Sequence, residues 1–355
     1  MKISIVGTRG IPNNYGGFEQ FAQYLSIELT KCGHDVWVYI PSYRKEKIDK
    51  WKGVHLKRIF CPSIFNSFSQ ILYDYLSLQD ALKEKSDVVL VCGYVSSYLA
   101  LLLYKKYKTK IVVHMDGWEW KRKKWNLFVR SMIRYTEKQV VKNMHFLVVD
   151  HPILKKYYLE KYNKDVFEIA YGCHLNDIVF LNENIDKPFF LVIARNEKEN
   201  NIELICQSFI ESGLEAYLYI FTNKRVACKS HKIRCLKNEY DENILNYYRN
   251  KALAYVHAYT VGGTNPSLLE SMAYCNTIIA LDNDFHRLIL EENALYFRTK
   301  DELTKLFRTL IYNKNIPLHL KANRLKIQKK YQWSLVANQY LNLFKTMMNE
   351  QNISK

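Results

Sequence analysis

The segment Gly262-Gly263-Thr264-Asn265-Pro266-Ser267-Leu268-Leu269-Glu270-Ser271-Met272-Ala273 holds the residues best spaced for chemistry. Two glycines let the backbone turn sharply and approach a ligand closely. Asn265 suits an N-cap and Pro266 the first helical position. A helix that starts there aims free N–H groups and the positive end of its dipole at whatever lies ahead of it, which makes an anion site suited to phosphate. Gly263, Thr264, Asn265, Pro266 and Ser267 are the candidate contacts. Glu270, one turn further in, is placed to accept from sugar hydroxyls. Ser267-x-x-Glu270 also fits a capping box, in which both side chains would serve only the helix terminus. A start at Asn265 leaves Glu270 free instead.

Three further segments offer chemistry. In Arg195-Asn196-Glu197-Lys198-Glu199-Asn200-Asn201, a guanidinium at a strand end can hold a diphosphate through paired hydrogen bonds, with Lys198 assisting. The same stretch also reads as a solvated charge run. Near the amino end, Gly7-Thr8-Arg9-Gly10-Ile11-Pro12-Asn13-Asn14-Tyr15-Gly16-Gly17-Phe18-Glu19 fits neither the dinucleotide fingerprint nor a P-loop. Small residues such as Gly16 and Gly17 opening a helix can still face a phosphate or sugar, or form a surface loop that binds nothing. The third segment, His114-Met115-Asp116-Gly117-Trp118-Glu119-Trp120-Lys121-Arg122, sets Asp116 and Glu119 among indole rings that exclude water and stack on sugar faces. His114 reads as a ligand or proton-transfer group, or as hydrogen-bonded structure. Tyr171-Gly172 is a further candidate lining pair.

These residues need strand ends to position them. Periodicity predicts strands at 3–6, 36–40, 88–92, 111–114 and 146–149, with helices at 18–31, 65–85, 97–106, 125–142 and 153–162. It fades over 173–187, which reads as a linker. A second series has strands at 189–194, 217–221, 254–259 and 277–281 and helices at 201–212, 242–249 and 266–274. Helices at 301–312, 318–330 and 334–347 follow. This alternation predicts an α/β fold of parallel, doubly wound sheets. Two domains, 1–175 and 186–332, facing each other would leave a central cleft at the carboxyl ends of their strands, where ligands bind. Residues 333–355 supply a terminal helix.

The chain has 355 residues and a net charge of +17. Residues 1–180 hold 28 Lys and Arg against 17 Asp and Glu, so the excess leans toward the first half. Nucleic acid, an anionic membrane or phosphorylated substrates would each account for it. The run Lys121-Arg122-Lys123-Lys124 precedes a basic helix with Phe128, Met132 and Ile133 that is suited to anionic headgroups or to an ordinary surface. No apolar run is long enough to span a bilayer, and no leader precedes the first strand, so a cytoplasmic location is expected. The eight cysteines form no Cys-x-x-Cys pair and read as buried free thiols rather than disulfides or zinc ligands.

The four motifs quoted above run in order along nearly the whole chain. Together they resemble the two-Rossmann (GT-B) glycosyltransferases of family 4, in particular the bacterial rhamnosyltransferase-like subgroup whose N-terminal domain was formerly of unknown function. The resemblance implies a nucleotide-sugar donor held by the second domain: Arg195 and Lys198 on the diphosphate, Thr264 to Ser267 offering backbone donors, and Glu270 on the ribose. Gly16 and Gly17 would let the first-domain loop close over the phosphates, and Asp116 would lie at the reacting centre as the catalytic candidate. The family retains anomeric configuration and needs no metal or other cofactor. Two departures stand out. Many members carry two glutamates eight positions apart, and Gly262 occupies the first place here. Asn200-Asn201 stands where Lys-Gly usually closes the Arg195 motif.

The expectation is therefore a glycosyltransferase that moves a sugar, rhamnose by resemblance, to a polysaccharide or lipid-linked acceptor in surface polysaccharide synthesis (O-antigen or capsule). It would rest on the inner face of the plasma membrane. A nicotinamide-dependent oxidoreductase is disfavoured by the absent glycine fingerprint. A nucleic-acid-binding protein is disfavoured because the basic residues follow no recognised pattern with exposed aromatics.

Overall fold

A computed structural model describes residues 1–44, 48–62, 67–179, 181, 185–228, 230–313 and 318–353. The chain divides into two compact units. The first comprises Met1–Lys121, Trp125–Gly172 and the chain from Trp333 onward; the second comprises Cys173–Gln332 with the short segment Arg122–Lys124. Residues 180 and 182–184 of the expected linker, and 65–66 of an expected helix, lie outside the described residues.

The first unit runs β1 (Lys2–Val6), α1 (Gly17–Lys31), β2 (Asp35–Pro41), β3 (Lys50–Trp51), β4 (Val54–Ile59), α2 (Ser67–Lys83), β5 (Val88–Cys92), α3 (Tyr98–Leu103), β6 (Ile111–His114), α4 (Leu127–Asn143), β7 (Phe146–Val149), α5 (Pro152–Tyr162) and β8 (Phe167–Glu168). Its strands lie in the order β3-β4-β2-β1-β5-β6-β7-β8, and only the β3–β4 pair is antiparallel. Central strands such as β5 are buried along their whole length, because helices cover both faces of a parallel sheet.

In the second unit, β9 (Phe189–Ile193), α6 (Ile202–Ser212), β10 (Tyr217–Thr222), β11 (Ile233–Lys237), α7 (Glu242–Lys251), β12 (Ala254–His257), α8 (Pro266–Tyr274), β13 (Ile278–Leu281), α9 (Asp284–Leu290), β14 (Leu295–Phe297), α10 (Lys300–Tyr312) and α11 (Leu320–Lys326) follow one another. The all-parallel sheet has the order β11-β10-β9-β12-β13-β14. Chain direction across the sheet reverses between β9 and β12, and such a switch point is where doubly wound sheets hold ligands. Phe190, Phe209 and Phe307 pack edge to face in the core beneath it.

The last helix, α12 (Trp333–Ile353), returns to the first unit and packs on α1. Phe21 of α1 lies against both Trp333 and Tyr340, at ring separations of 6.2 and 5.5 Å. Periodicity missed β3, β4, β8, β11, β14 and α9. β11 is a polar edge strand and β3, β8 and β14 have two or three residues, so none carries a long apolar run. Among the described residues, no helix is long and apolar enough to cross a membrane.

Candidate functional site

In the second unit two loops leave neighbouring parallel strands at the switch point. The Arg195 segment follows β9, and the glycine turn follows β12, whose Ala254 and Tyr255 pair with Phe190 and Leu191. Thr260 fastens the loops together, donating through its N–H and its hydroxyl to the Glu199 carbonyl at 3.1 and 3.2 Å. Asn201 donates from Nδ2 to the Ala258 carbonyl at 2.8 Å. Arg195 is half-buried and Lys198 exposed. The Arg195 carbonyl accepts from Asn200 Nδ2 at 2.8 Å, so Asn200 closes the loop by a side-chain bond.

Asn265 caps α8 as its type predicts. Its Oδ1 accepts from the Ser267 N–H at 2.9 Å, and Pro266 occupies the first turn. That narrows the expected anion contacts. Pro266 has no N–H, the N–H of Ser267 is taken by the cap, and the Ser267 hydroxyl meets Tyr255 Oη at 2.9 Å and the Ile193 carbonyl at 3.3 Å. Gly263 and Asn265 keep backbone donors without an acceptor among the described residues, and buried Thr264 lies between them. Tyr255 is a residue that sequence reasoning missed. Burial pushes its phenol up to about 12, so it stays a neutral donor that binds the start of α8 to the end of β9.

Glu270 does not stand free. Its carboxylate accepts from Nη2 of Arg249 on α7, a guanidinium that is 1 % exposed and also donates from Nη1 to Asn246 Oδ1 at 2.9 Å. Burial and the nearby Glu270 charge push the Glu242 carboxyl up to about 7. Neither Arg249 nor Glu242 carries a motif signal; a charged position inside an amphipathic helix shows its partner only after folding. Gly262 has φ +71°, and a Cβ there would fall 2.2 Å from the Phe285 ring of α9. At this position a side chain would meet the Phe285 ring and be held in a left-handed backbone conformation, which favours glycine.

In the first unit Asp116 follows β6 with φ +57°, a left-handed conformation. Its own Oδ1 accepts from the Gly117 N–H at 2.8 Å, and its N–H donates to His114 Nδ1 at 3.3 Å. His114 is buried between Phe18, Phe21 and Tyr171 at ring separations of 5.2, 5.3 and 5.6 Å. Burial lowers its pKa to about 3, so the ring is neutral, and its Nδ1 orients the Asp116 backbone. Glu119 accepts from the Trp125 indole at 3.0 Å. Tyr171 is buried against Phe21, and a Cβ at Gly172 would lie 2.4 Å from the Trp333 indole, so this pair serves the packing of α12.

The glycine loop after β1 is fastened by side chains. Glu19 accepts from the Arg9 N–H at 2.7 Å, Gln23 from the Asn13 N–H at 2.7 Å, and Arg44 donates to the Arg9 and Pro12 carbonyls. Gly16 caps α1 without a side chain. The Gly17 and Phe18 amides consequently keep no acceptor among the described residues.

Residues 1–174 match the family described as "Domain of unknown function (DUF1972)". No curated protein matches the sequence. Among solved structures, the chain is similar to sucrose-phosphate synthase from Thermosynechococcus elongatus (14% identity, TM-score 0.81, covering 98% of this chain and 99% of that one). It is also similar to a glycosyltransferase from Rickettsia africae (16% identity, TM-score 0.70, 98% of both chains). Anabaena HepE in complex with UDP and glucose shows the same likeness (10% identity, TM-score 0.72, 98% and 100%). The chain has the GT-B fold of two Rossmann-like domains, and its residues 1–174 match the DUF1972 model.

Proposed function

We propose that this protein is a glycosyltransferase that moves a sugar from a nucleoside-diphosphate donor to a saccharide or lipid-linked acceptor. The observation that carries the reading is the second unit's switch point, where the Arg195 loop and the Gly263–Asn265 turn leave adjacent strands and are bonded to each other. A diphosphate there would meet a guanidinium and the amides ahead of a helix, which stabilise the leaving group without calling for a metal. The solved structure of HepE with UDP and glucose, similar in fold, supports a nucleotide-sugar as ligand. In the first unit, the strained Asp116 beside its glycine is the group proposed to act at the reacting centre. Rhamnose as the sugar, retention of configuration and a role in surface polysaccharide synthesis complete the proposal, with a peripheral position on the inner face of the plasma membrane.

The test is calorimetric titration with UDP, dTDP and NAD, followed by turnover with nucleotide-sugars. A nucleoside diphosphate should bind and NAD should not. Arg195→Ala should weaken diphosphate binding roughly 10- to 100-fold, the worth of a charge-assisted hydrogen bond. Unchanged affinity in that variant, or preference for NAD, would overturn the assignment.

A further inference from the structure

Helix α4 is apolar on two opposite faces. Ile133, Val140 and Val141 are buried against the first unit. Leu127, Phe128, Met132 and Tyr135 point outward and are 80, 73, 55 and 58% exposed. A soluble surface helix normally gives its outer face to polar groups. Next to it, α3 presents Leu99 and Leu103, at 53 and 66% exposure, one helical turn apart.

Beside this apolar face lies an open pocket of about 700 Å³. Its walls include Arg134 and Lys138 of α4, Tyr157, Lys161 and Tyr162 of α5, and Trp120. The Arg134 guanidinium lies 4.0 Å over the Trp120 ring. Lys161 is partly neutralised by buried Glu137 at 3.4 Å, which also accepts from the Tyr157 and Tyr162 hydroxyls at 2.6 and 2.7 Å. Arg134 and Lys138 have no carboxylate partner among the described residues. α4 carries Arg130, Arg134, Lys138 and Lys142 against the single acid Glu137, and that acid is buried.

We propose that the α3–α4 face docks on an anionic phospholipid bilayer, with the outward Leu, Phe and Met side chains entering the acyl boundary and a lipid phosphate seated between Arg134, Lys138 and the Trp120 ring. Charge complementarity identifies the occupant. Arg134 and Lys138, without a carboxylate partner among the described residues, border exposed aliphatic side chains, and the bilayer interface supplies anions and hydrocarbon side by side. A nucleic acid would satisfy the cations but leave Leu127 and Met132 in water. Trp120 stands four residues after Asp116, so its Cα lies within about 14 Å of the Cα of the residue proposed to act on the acceptor. The proposal deepens the acceptor side of the function above and rests on that reading for its role, though not for its test.

The full chain should be floated with vesicles of phosphatidylcholine alone and of equal parts phosphatidylcholine and phosphatidylglycerol, without nucleotide. Binding is expected only to the mixed vesicles. Phe128→Glu should lower the partition coefficient roughly tenfold or more. Arg134→Ala and Lys138→Ala should each lower it about fivefold. All three positions are exposed, so melting temperature and UDP affinity should stay unchanged. A Phe128→Trp reporter should be quenched by brominated acyl chains. Equal binding to neutral vesicles, an unquenched reporter, or full binding by Phe128→Glu would each overturn the proposal. So would tighter, salt-dependent capture by RNA that the same variants abolish. Failure here would leave nucleotide binding, and so the transferase reading, standing; failure to bind any nucleotide would not touch the vesicle result.

Discussion

Replacing Glu270 tests whether this residue serves the ligand, the fold or both. Its partner Arg249 is 1 % exposed, and after Glu270→Ala the guanidinium would keep only the Asn246 amide oxygen. Breaking a buried pair on one side costs about 3–5 kcal/mol, because an uncompensated charge remains. Glu270 itself is 13% exposed, so water can reach the vacated side and the lower end, about 3 kcal/mol, is expected. Glu270→Gln keeps an acceptor oxygen and loses only the charge, for about 1–2 kcal/mol. Arg249→Met with Glu270→Leu removes both partners and should come within about 1 kcal/mol of the parent. Urea unfolding followed by far-ultraviolet circular dichroism, with and without UDP, measures all three. A loss below about 1 kcal/mol in Glu270→Ala, or a double variant no more stable than the single, would refute the reasoning. Because the Gln variant stays folded, a fall of about tenfold in its UDP affinity would assign Glu270 to the ribose as well.

Three further outcomes are expected. The Glu242 carboxyl is raised from its ordinary value of 4.5 to about 7, so the stability linked to its protonation is complete below pH 4.5 and lost as pH rises through 7. Glu242→Gln should therefore match the parent at pH 4 and exceed it by up to about 3 kcal/mol at pH 8; parallel urea profiles at the two pH values would contradict this. Gly172→Ala should cost about 1–3 kcal/mol by overpacking against the Trp333 indole, read as a lower unfolding midpoint, and an unchanged midpoint would show that the indole gives way. Asp116→Asn should bind donor nucleotide normally yet lose about 100-fold or more in transfer, and wild-type turnover would remove Asp116 from the reaction.

Local chemistry alone determined much of this protein. Apolar runs mark the central strands β5, β9 and β12, because a parallel strand covered on both faces must be hydrophobic throughout. Asn265-Pro266 marks the start of α8, because capping depends only on residues within one turn. What lay beyond the sequence were relations between residues far apart along the chain. The edge strands β3 and β11 owe their existence to a neighbour's hydrogen bonds rather than to their own pattern. Glu270 gained its partner from a helix 21 positions earlier and is half of a buried ion pair that no local pattern shows. Gly262 reads in one dimension as a departure from the pattern of the family the sequence resembles; in three it faces a volume already taken by Phe285, since close packing leaves one space for one side chain. Periodicity and capping are properties of a few consecutive residues, whereas register, burial and charge pairing exist only once distant segments are brought together.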